Sequence, residues 1–315
     1  MPFPSRKQRP GLSQEELVAW VALHSVAGMG AATLARLLRR FGSPAGVLAA
    51  SADELASVPR VPRAVVRGIR EAAREGTRHA DVAERLRAAG AWGVRRGDRG
   101  YPSRLNALAN PPPLLYVLGR LPSDQRRAFG IVGTTHASAH GCEVARTIAR
   151  ALARKGWVIV SGHARGIDAA AHRGAFEARR PTILVLPTGI LGFRSREGYP
   201  PDNELWRRAA AVSEWHPDAP WQTPLALARN RAIAALSDCL LVVEAREQGG
   251  AMTTLRHAIA LGRRAFVVRF REPALSAIGN SRAEALGAEP VGSLRDLQSL
   301  LARPPRRTGQ QKLEW

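Results

Sequence analysis

Residues 128–178 constrain the fold more than any other part of the chain. An apolar run, Ala128-Phe129-Gly130-Ile131-Val132, meets the turn Gly133-Thr134-Thr135-His136 and then an amphipathic segment. A second apolar run, residues 157–160, meets Ser161-Gly162-His163-Ala164-Arg165-Gly166-Ile167-Asp168 and another amphipathic segment. This is the pattern of two consecutive strand–turn–helix units. The runs are apolar without alternation, as strands buried on both faces are, so a parallel sheet covered by helices on both sides is predicted. Right-handed crossovers then bring the turns to one sheet edge, the carboxyl ends of the strands. Glycine at the start of each turn lets the following helix point its unpaired N–H groups at an anion.

The alternation continues, with strands expected at residues 182–186, 211–214, 239–243 and 265–268 and helices at 203–210, 225–236 and 252–261, Asn203 capping the first of these. A small strand at 289–291 and a capped helix at 293–301 close the pattern. Pro111-Pro112-Pro113 bound a strand at residues 114–118, which is expected at the edge of the sheet because proline cannot join a ladder. The fold class is therefore α/β, an extended Rossmann-like, mostly parallel, doubly wound sheet. The segment before it differs. Ser13 with Glu16 makes a capping box, and helix-spaced segments follow to residue 75, which predicts a small all-helical domain over residues 13–80. Gly28-Met29-Gly30 resembles a helix-hairpin-helix turn, with a plain packing turn as the equal alternative. Residues 1–12 read as a disordered lead-in, 81–302 as the Rossmann-like domain, and 303–315 as a basic tail with no winged-helix domain after it.

The chain carries 47 lysines and arginines against 26 acidic residues, a formal charge of +21, and nearly all of the excess is arginine. That balance suits a polyanionic partner, and an Arg- and Ala-rich composition of a GC-rich genome explains it equally. Cys142 and Cys239 are too few for a disulfide framework. The basic N-terminus leads into no apolar signal region, and no run reaches membrane-spanning length. A reduced, cytoplasmic protein with no membrane contact is expected.

Three turns carry candidate chemistry: Gly133, Thr134, Thr135 and His136 in the first; Ser161, Gly162, Arg165 and Gly166 in the second; Gly249, Gly250, Thr253 and Thr254 in the third. Each joins glycine to hydroxyls and a helix start, the parts of a phosphate cradle. Arg229, Asn230 and Arg231 precede the strand at 239–243, and a guanidinium there suits phosphate oxygens. No Walker sequence follows any of the glycines and no Gly-x-Gly-x-x-Gly occurs, so NTP hydrolysis and dinucleotide binding lack their motifs. His136, His140, His163 and His172 lack the carboxylates and spacing of a metal site, so no metal and no cofactor is expected. Asp168 is expected to cap its helix and His172 to pack. Glu214 and Glu244 end strands, where carboxylates commonly hydrogen-bond neighbouring loops and where a carboxylate-based hydrolase is conceivable.

Ser161-Gly162-x-Ala164-Arg165-Gly166-Ile167-Asp168-x-x-Ala171-His172, Tyr199-Pro200-Pro201-x-Asn203, Ser213-Glu214, Arg229-Asn230-Arg231-x-Ile233-x-x-Leu236-Ser237 and Val242-Val243-Glu244-Ala245 occur in the order found in the bacterial DNA-processing protein A family (DprA, also called Smf). Gly279-Asn280 and Leu286-Gly287-Ala288 resemble its closing segment. The resemblance implies a non-enzymatic homodimer that binds single-stranded DNA, protects it during natural transformation and hands it to the RecA recombinase. It also implies that the three turns and residues 229–231 line the DNA site. The chain departs from the family pattern at Thr135, where an arginine is usual, at Gln248-Gly249-Gly250-Ala251, at Leu225-Ala226-Leu227-Ala228, and in a longer, more basic loop at 187–197. The alternative, by fold analogy, is a small-nucleotide sensor or a nucleotide N-glycosidase-like enzyme.

Overall fold

The computed structural model describes residues 12–303. The lead-in before Leu12 and the basic tail after Arg303 lie outside the described residues.

The chain begins with six helices: α1 (Gln14–Ser25), α2 (Ala31–Phe41), α3 (Pro44–Ala49), α4 (Ala52–Ala56), α5 (Arg63–Arg74) and α6 (Gly76–Ala88). Their starts follow from local chemistry. Ser13 accepts from the Glu16 amide at 3.1 Å while the Glu16 carboxylate accepts from the Ser13 amide at 2.9 Å, and Ser51 with Glu54 repeats the device. Residue 80 lies within α6, whose Val82, Ala83 and Leu86 share an apolar cluster with Leu17, Trp20 and Val21 of α1. The helical layer therefore runs to Ala88, beyond the boundary expected at residue 80. The same cluster continues into Tyr116, Leu184 and Ala211 of the sheet, so the layer packs directly on one sheet face.

The sheet holds β1 (Trp92–Arg95), β2 (Leu114–Gly119), β3 (Ala128–Val132), β4 (Val158–Ser161), β5 (Thr182–Val185), β6 (Ala209–Ser213), β7 (Cys239–Val242), β8 (Arg264–Val268) and β9 (Glu289–Val291), in the order β1-β2-β6-β5-β4-β3-β7-β8-β9. All neighbours from β6 to β9 are parallel, and β1 and β2 are antiparallel additions. β2 is not the edge strand expected from its prolines: β1 pairs outside it, Trp92 opposite Val117. A four-residue strand is too short to show a pattern of its own.

Strand residues divide by parity. Phe129 and Ile131 of β3 face α7 (Ala139–Arg154) and α8 (Ile167–Glu177), whereas Ala128 and Val132 face α10 (Thr223–Leu236) and α11 (Gly250–Ala260). A short α9 (Asp202–Arg208) precedes β6, with Pro201 at its cap and Asn203 inside the helix. α12 (Asn280–Ala285) and α13 (Leu294–Ala302) complete the chain. From β3 the strands step outward through β4, β5 and β6, then resume on the other side of β3 at β7. The carboxyl ends of β3 and β7 thus form the switch point where open α/β sheets hold ligands.

Candidate nucleic-acid interface

The three predicted turns leave the carboxyl ends of β4, β3 and β7, which are neighbours in the sheet. Hydrogen bonds tie the first of them to the elements on either side. The Thr134 amide donates to the Glu244 carbonyl at 2.7 Å, tying the β3 turn to the end of β7, and the Ile167 amide donates to the Thr134 carbonyl at 3.3 Å, tying it to α8. Gly133 is packed against Ile167. Thr134 is buried and its hydroxyl accepts from the His136 amide, while Thr135 and His136 are exposed and share a hydrogen bond at 3.0 Å. Ser138 caps α7, accepting from the Gly141 amide at 2.9 Å.

Glu244, only 1% exposed, holds this cap. Its carboxylate accepts from the Ser138 amide at 2.9 Å, from the Ser138 hydroxyl and from the Ser276 hydroxyl at 2.8 Å. This is the loop-organising role that strand-end carboxylates commonly take. Asn280, at the start of α12, closes the β7 side: its amide group donates to the Val243 and Val268 carbonyls at 2.7 and 2.8 Å and its oxygen accepts from the Ala245 amide at 3.0 Å. Sequence reasoning placed Asn280 only in a closing segment; Gly279, which packs against the Arg246 backbone, was the available signal.

The second turn is held from inside. The Ser161 hydroxyl is buried and donates to the Ile131 carbonyl at 2.6 Å. Gly162 packs directly on the Arg229 guanidinium, which any Cβ at 162 would overlap. His163 has a left-handed φ of 58°; its carbonyl accepts two hydrogen bonds from Arg196, at 2.9 and 2.7 Å, and its ring stacks on Phe193. The loop at 187–201 is thereby fastened to the turn. Burial, and then the nearby Arg196 charge, lower the His163 pKa to about 4, so the ring is neutral. Asp168 does not cap α8. Gly166 is the cap residue, at φ 69°, and the Asp168 carboxylate accepts instead from the Ala164 amide at 3.3 Å, bracing the turn before the helix. Arg165 projects from this turn, exposed, and its side chain makes no hydrogen bond or ion pair among the described residues.

The Arg229-Asn230-Arg231 group does not present three ligand-facing side chains. Arg229 is 6% exposed and donates to the Gly162 and Val185 carbonyls. Burial lowers its pKa to about 10 against the opposing attraction of Asp168. Asp168 in turn is raised by burial, with Arg229 resisting. Asn230 is buried and donates to the Gly250 carbonyl at 3.1 Å. Arg231 pairs with Glu214 and donates to the Asn110 carbonyl at 3.2 Å. In the third turn Gly249 is exposed at φ 143°, with open space where a Cβ would stand. The Thr253 and Thr254 hydroxyls bond back to the Gly249 and Gly250 carbonyls at 3.1 and 2.8 Å. Open to an anion are the first residues of α11 at Gly249 and Gly250, the exposed Thr135 and His136, and the exposed Arg165 and Arg246. His172 is a packing residue, buried against Thr182 at 2.7 Å. Among the described residues no group of three His, Cys, Asp or Glu side chains is placed to hold a metal ion, and no helix is long and apolar enough to cross a membrane.

This architecture is shared with known proteins. Residues 21–75 match the SAM-like helix-hairpin-helix tandem. DNA processing protein DprA of Bacillus subtilis is 34% identical over 172 residues, covering 53% of this chain and 57% of the relative. Protein Smf of Synechocystis is 39% identical over 178 residues, covering 54% of this chain and 44% of the relative, so the alignments span about half the length of these relatives. The crystal structure of DNA processing protein A from Streptococcus pneumoniae superposes with a TM-score of 0.73 at 23% identity, over 92% of this chain and 98% of that one, and shows the same fold. A Helicobacter pylori DNA processing protein A, described for its single-stranded DNA binding mode, superposes at 0.56 with 26% identity over 67% of this chain and 95% of that one. The family model of DNA recombination-mediator protein A matches residues 93–302, and the chain belongs to that family.

Proposed function

We propose that this protein binds single-stranded DNA without catalysis, along the edge formed by the turns after β4, β3 and β7. The observation that carries this reading is the placing of three glycine turns at the carboxyl ends of adjacent parallel strands, the first tied by hydrogen bonds to the end of β7 and the start of α8, with Arg165 and the start of α11 left uncommitted. Helix N-termini and a free guanidinium suit phosphate oxygens and carry no base preference, so binding follows the backbone of the strand. The formal charge of +21 favours the same partner. Thr135 stands where the resembled family has an arginine, which leaves Arg165, together with Arg246 beyond the end of β7, as the exposed side-chain cations of the edge. Protection of incoming DNA, transfer to RecA, a homodimeric state and a cytoplasmic location are proposed with it, on the family's account.

Fluorescence anisotropy of a labelled oligothymidylate tests the reading. Affinity falls with salt by a log–log slope of about −0.7 for each phosphate engaged, and Arg165→Ala lowers both the affinity and the slope. Binding that is insensitive to ionic strength, or turnover of a mononucleotide, would overturn it. A gel shift of long single-stranded DNA, with and without recombinase, tests the transfer step.

A further inference from the structure

At the opposite edge of the sheet, by the amino ends of β3, β4 and β5, lies a cavity of about 470 Å³ lined by no residue of the three turns. Its floor is apolar: Ala128, Val158, Ile183 and Leu236. Its walls are locked. The Trp92 indole donates to the Gly119 carbonyl at 3.2 Å and the Tyr101 hydroxyl to the Pro112 carbonyl at 2.7 Å. Arg104 grips Asp238 through two hydrogen bonds, at 2.8 and 2.9 Å, and donates to the Asp124 and Arg126 carbonyls at 2.7 and 2.8 Å, which fixes the loop between β2 and β3 as a roof. Asp124, the one acid in the lining, is already engaged by the Ser103 amide at 3.0 Å and faces Arg104 at 3.4 Å.

Three lining guanidiniums are left over. Arg99, Arg120 and Arg126 are exposed, and their side chains make no hydrogen bond or ion pair among the described residues. A preformed apolar slot walled by an indole, with uncommitted arginines at its mouth, fits a flat ring carrying a compact dianion. The volume lies within the ~300–1,000 Å³ of small-ligand pockets.

We propose that this cavity binds a nucleoside monophosphate, its base against Trp92 and the apolar floor, its phosphate among Arg99, Arg120 and Arg126. The site shares no residue with the edge assigned to single-stranded DNA, so either reading can fail alone. The test is calorimetric titration of the full chain with dAMP, dTMP and inorganic phosphate, with tryptophan fluorescence as a second readout. Both nucleotides bind and phosphate alone binds more weakly. R99A/R120A/R126A weakens nucleotide binding by about tenfold or more, as expected for lost charge-assisted contacts, and leaves oligothymidylate binding unchanged. Arg165→Ala leaves nucleotide binding unchanged, and Trp92→Phe removes the fluorescence change. The proposal is overturned if dAMP and dTMP do not bind at millimolar concentration, if phosphate alone binds as tightly, or if the triple variant binds nucleotides like the unaltered chain.

Discussion

Arg229→Ala separates an internal strut from a ligand contact. Arg229 donates to two carbonyls, Gly162 on the second turn and Val185 at the end of β5, and it is the counter-charge of Asp168, itself 5% exposed. Truncation leaves a buried carboxylate unpaired and two carbonyls without this donor. Removing one partner of a buried pair costs about 3–5 kcal/mol, a large share of the ~5–15 kcal/mol that stabilises a domain. Urea unfolding at pH 7 should show that loss. The deficit shrinks at lower pH, because without Arg229 the Asp168 carboxyl takes up a proton more readily and ceases to be a buried charge. D168N/R229M, which removes both charges, should be less destabilised than the two single changes added together. Arg165→Ala is the control: exposed and without a side-chain partner among the described residues, it stays within about 0.5 kcal/mol of the unaltered chain and loses oligonucleotide affinity instead. An Arg229→Ala protein as stable as the unaltered chain, but defective in DNA binding, would refute the strut and make Arg229 a direct contact.

Other positions give further tests. As the pH falls from 6.5 to about 4, the unfolded chain protonates His163 before the folded one does, so about 3 kcal/mol of stability present above pH 6.5 is lost across that window; His163→Asn, which tolerates the left-handed backbone, should flatten this part of a melting-temperature profile against pH. Gly166→Ala combines a φ of 69° with overlap of the Thr134 and Thr135 carbonyls and should destabilise well beyond Gly156→Ala, which has φ 90° but open space and is expected to cost about 1–2 kcal/mol by denaturant unfolding. Glu244→Ala strips the acceptor from Ser138 and Ser276 and should cost about 2–3 kcal/mol, with amide exchange accelerated at the start of α7.

Local chemistry made much of this fold readable. Unalternating apolar runs announced parallel strands covered on both faces, and the Ser13/Glu16 pair announced the first helix. What escaped lacked a local signature. β1 spans four residues, and α6 begins at Gly76 with no side-chain cap, so nothing local ties its first turn to the helices before it, and the boundary expected at residue 80 falls inside it. The turns were legible because glycine marks them. The groups that hold the turns were less so, since Glu244 meets Ser138 across 106 residues and Asn280 meets Val243 across 37. Such contacts depend on strand order, which motif spacing does not encode.

The Arg229-Asn230-Arg231 group shows why a motif can name a charge without giving its direction. Successive residues on a helix stand about 100° apart, so three in a row cannot share one face. On α10 the first turns to the core, the second to Gly250 and the third to Glu214. The glycine beside Ser161 then takes on another meaning. Gly162 can be read from the sequence as room for a ligand, yet the space its missing Cβ leaves is filled by the Arg229 guanidinium. Gly162 and Arg229 are thus a matched pair: a side chain at 162 would expel the strut, and loss of the strut would leave a void under the turn. Gly249 differs, since the space beside it is open. Open space beside the backbone is therefore present at the β7 turn, whereas at the β4 turn that space is filled and the exposed group is the Arg165 side chain.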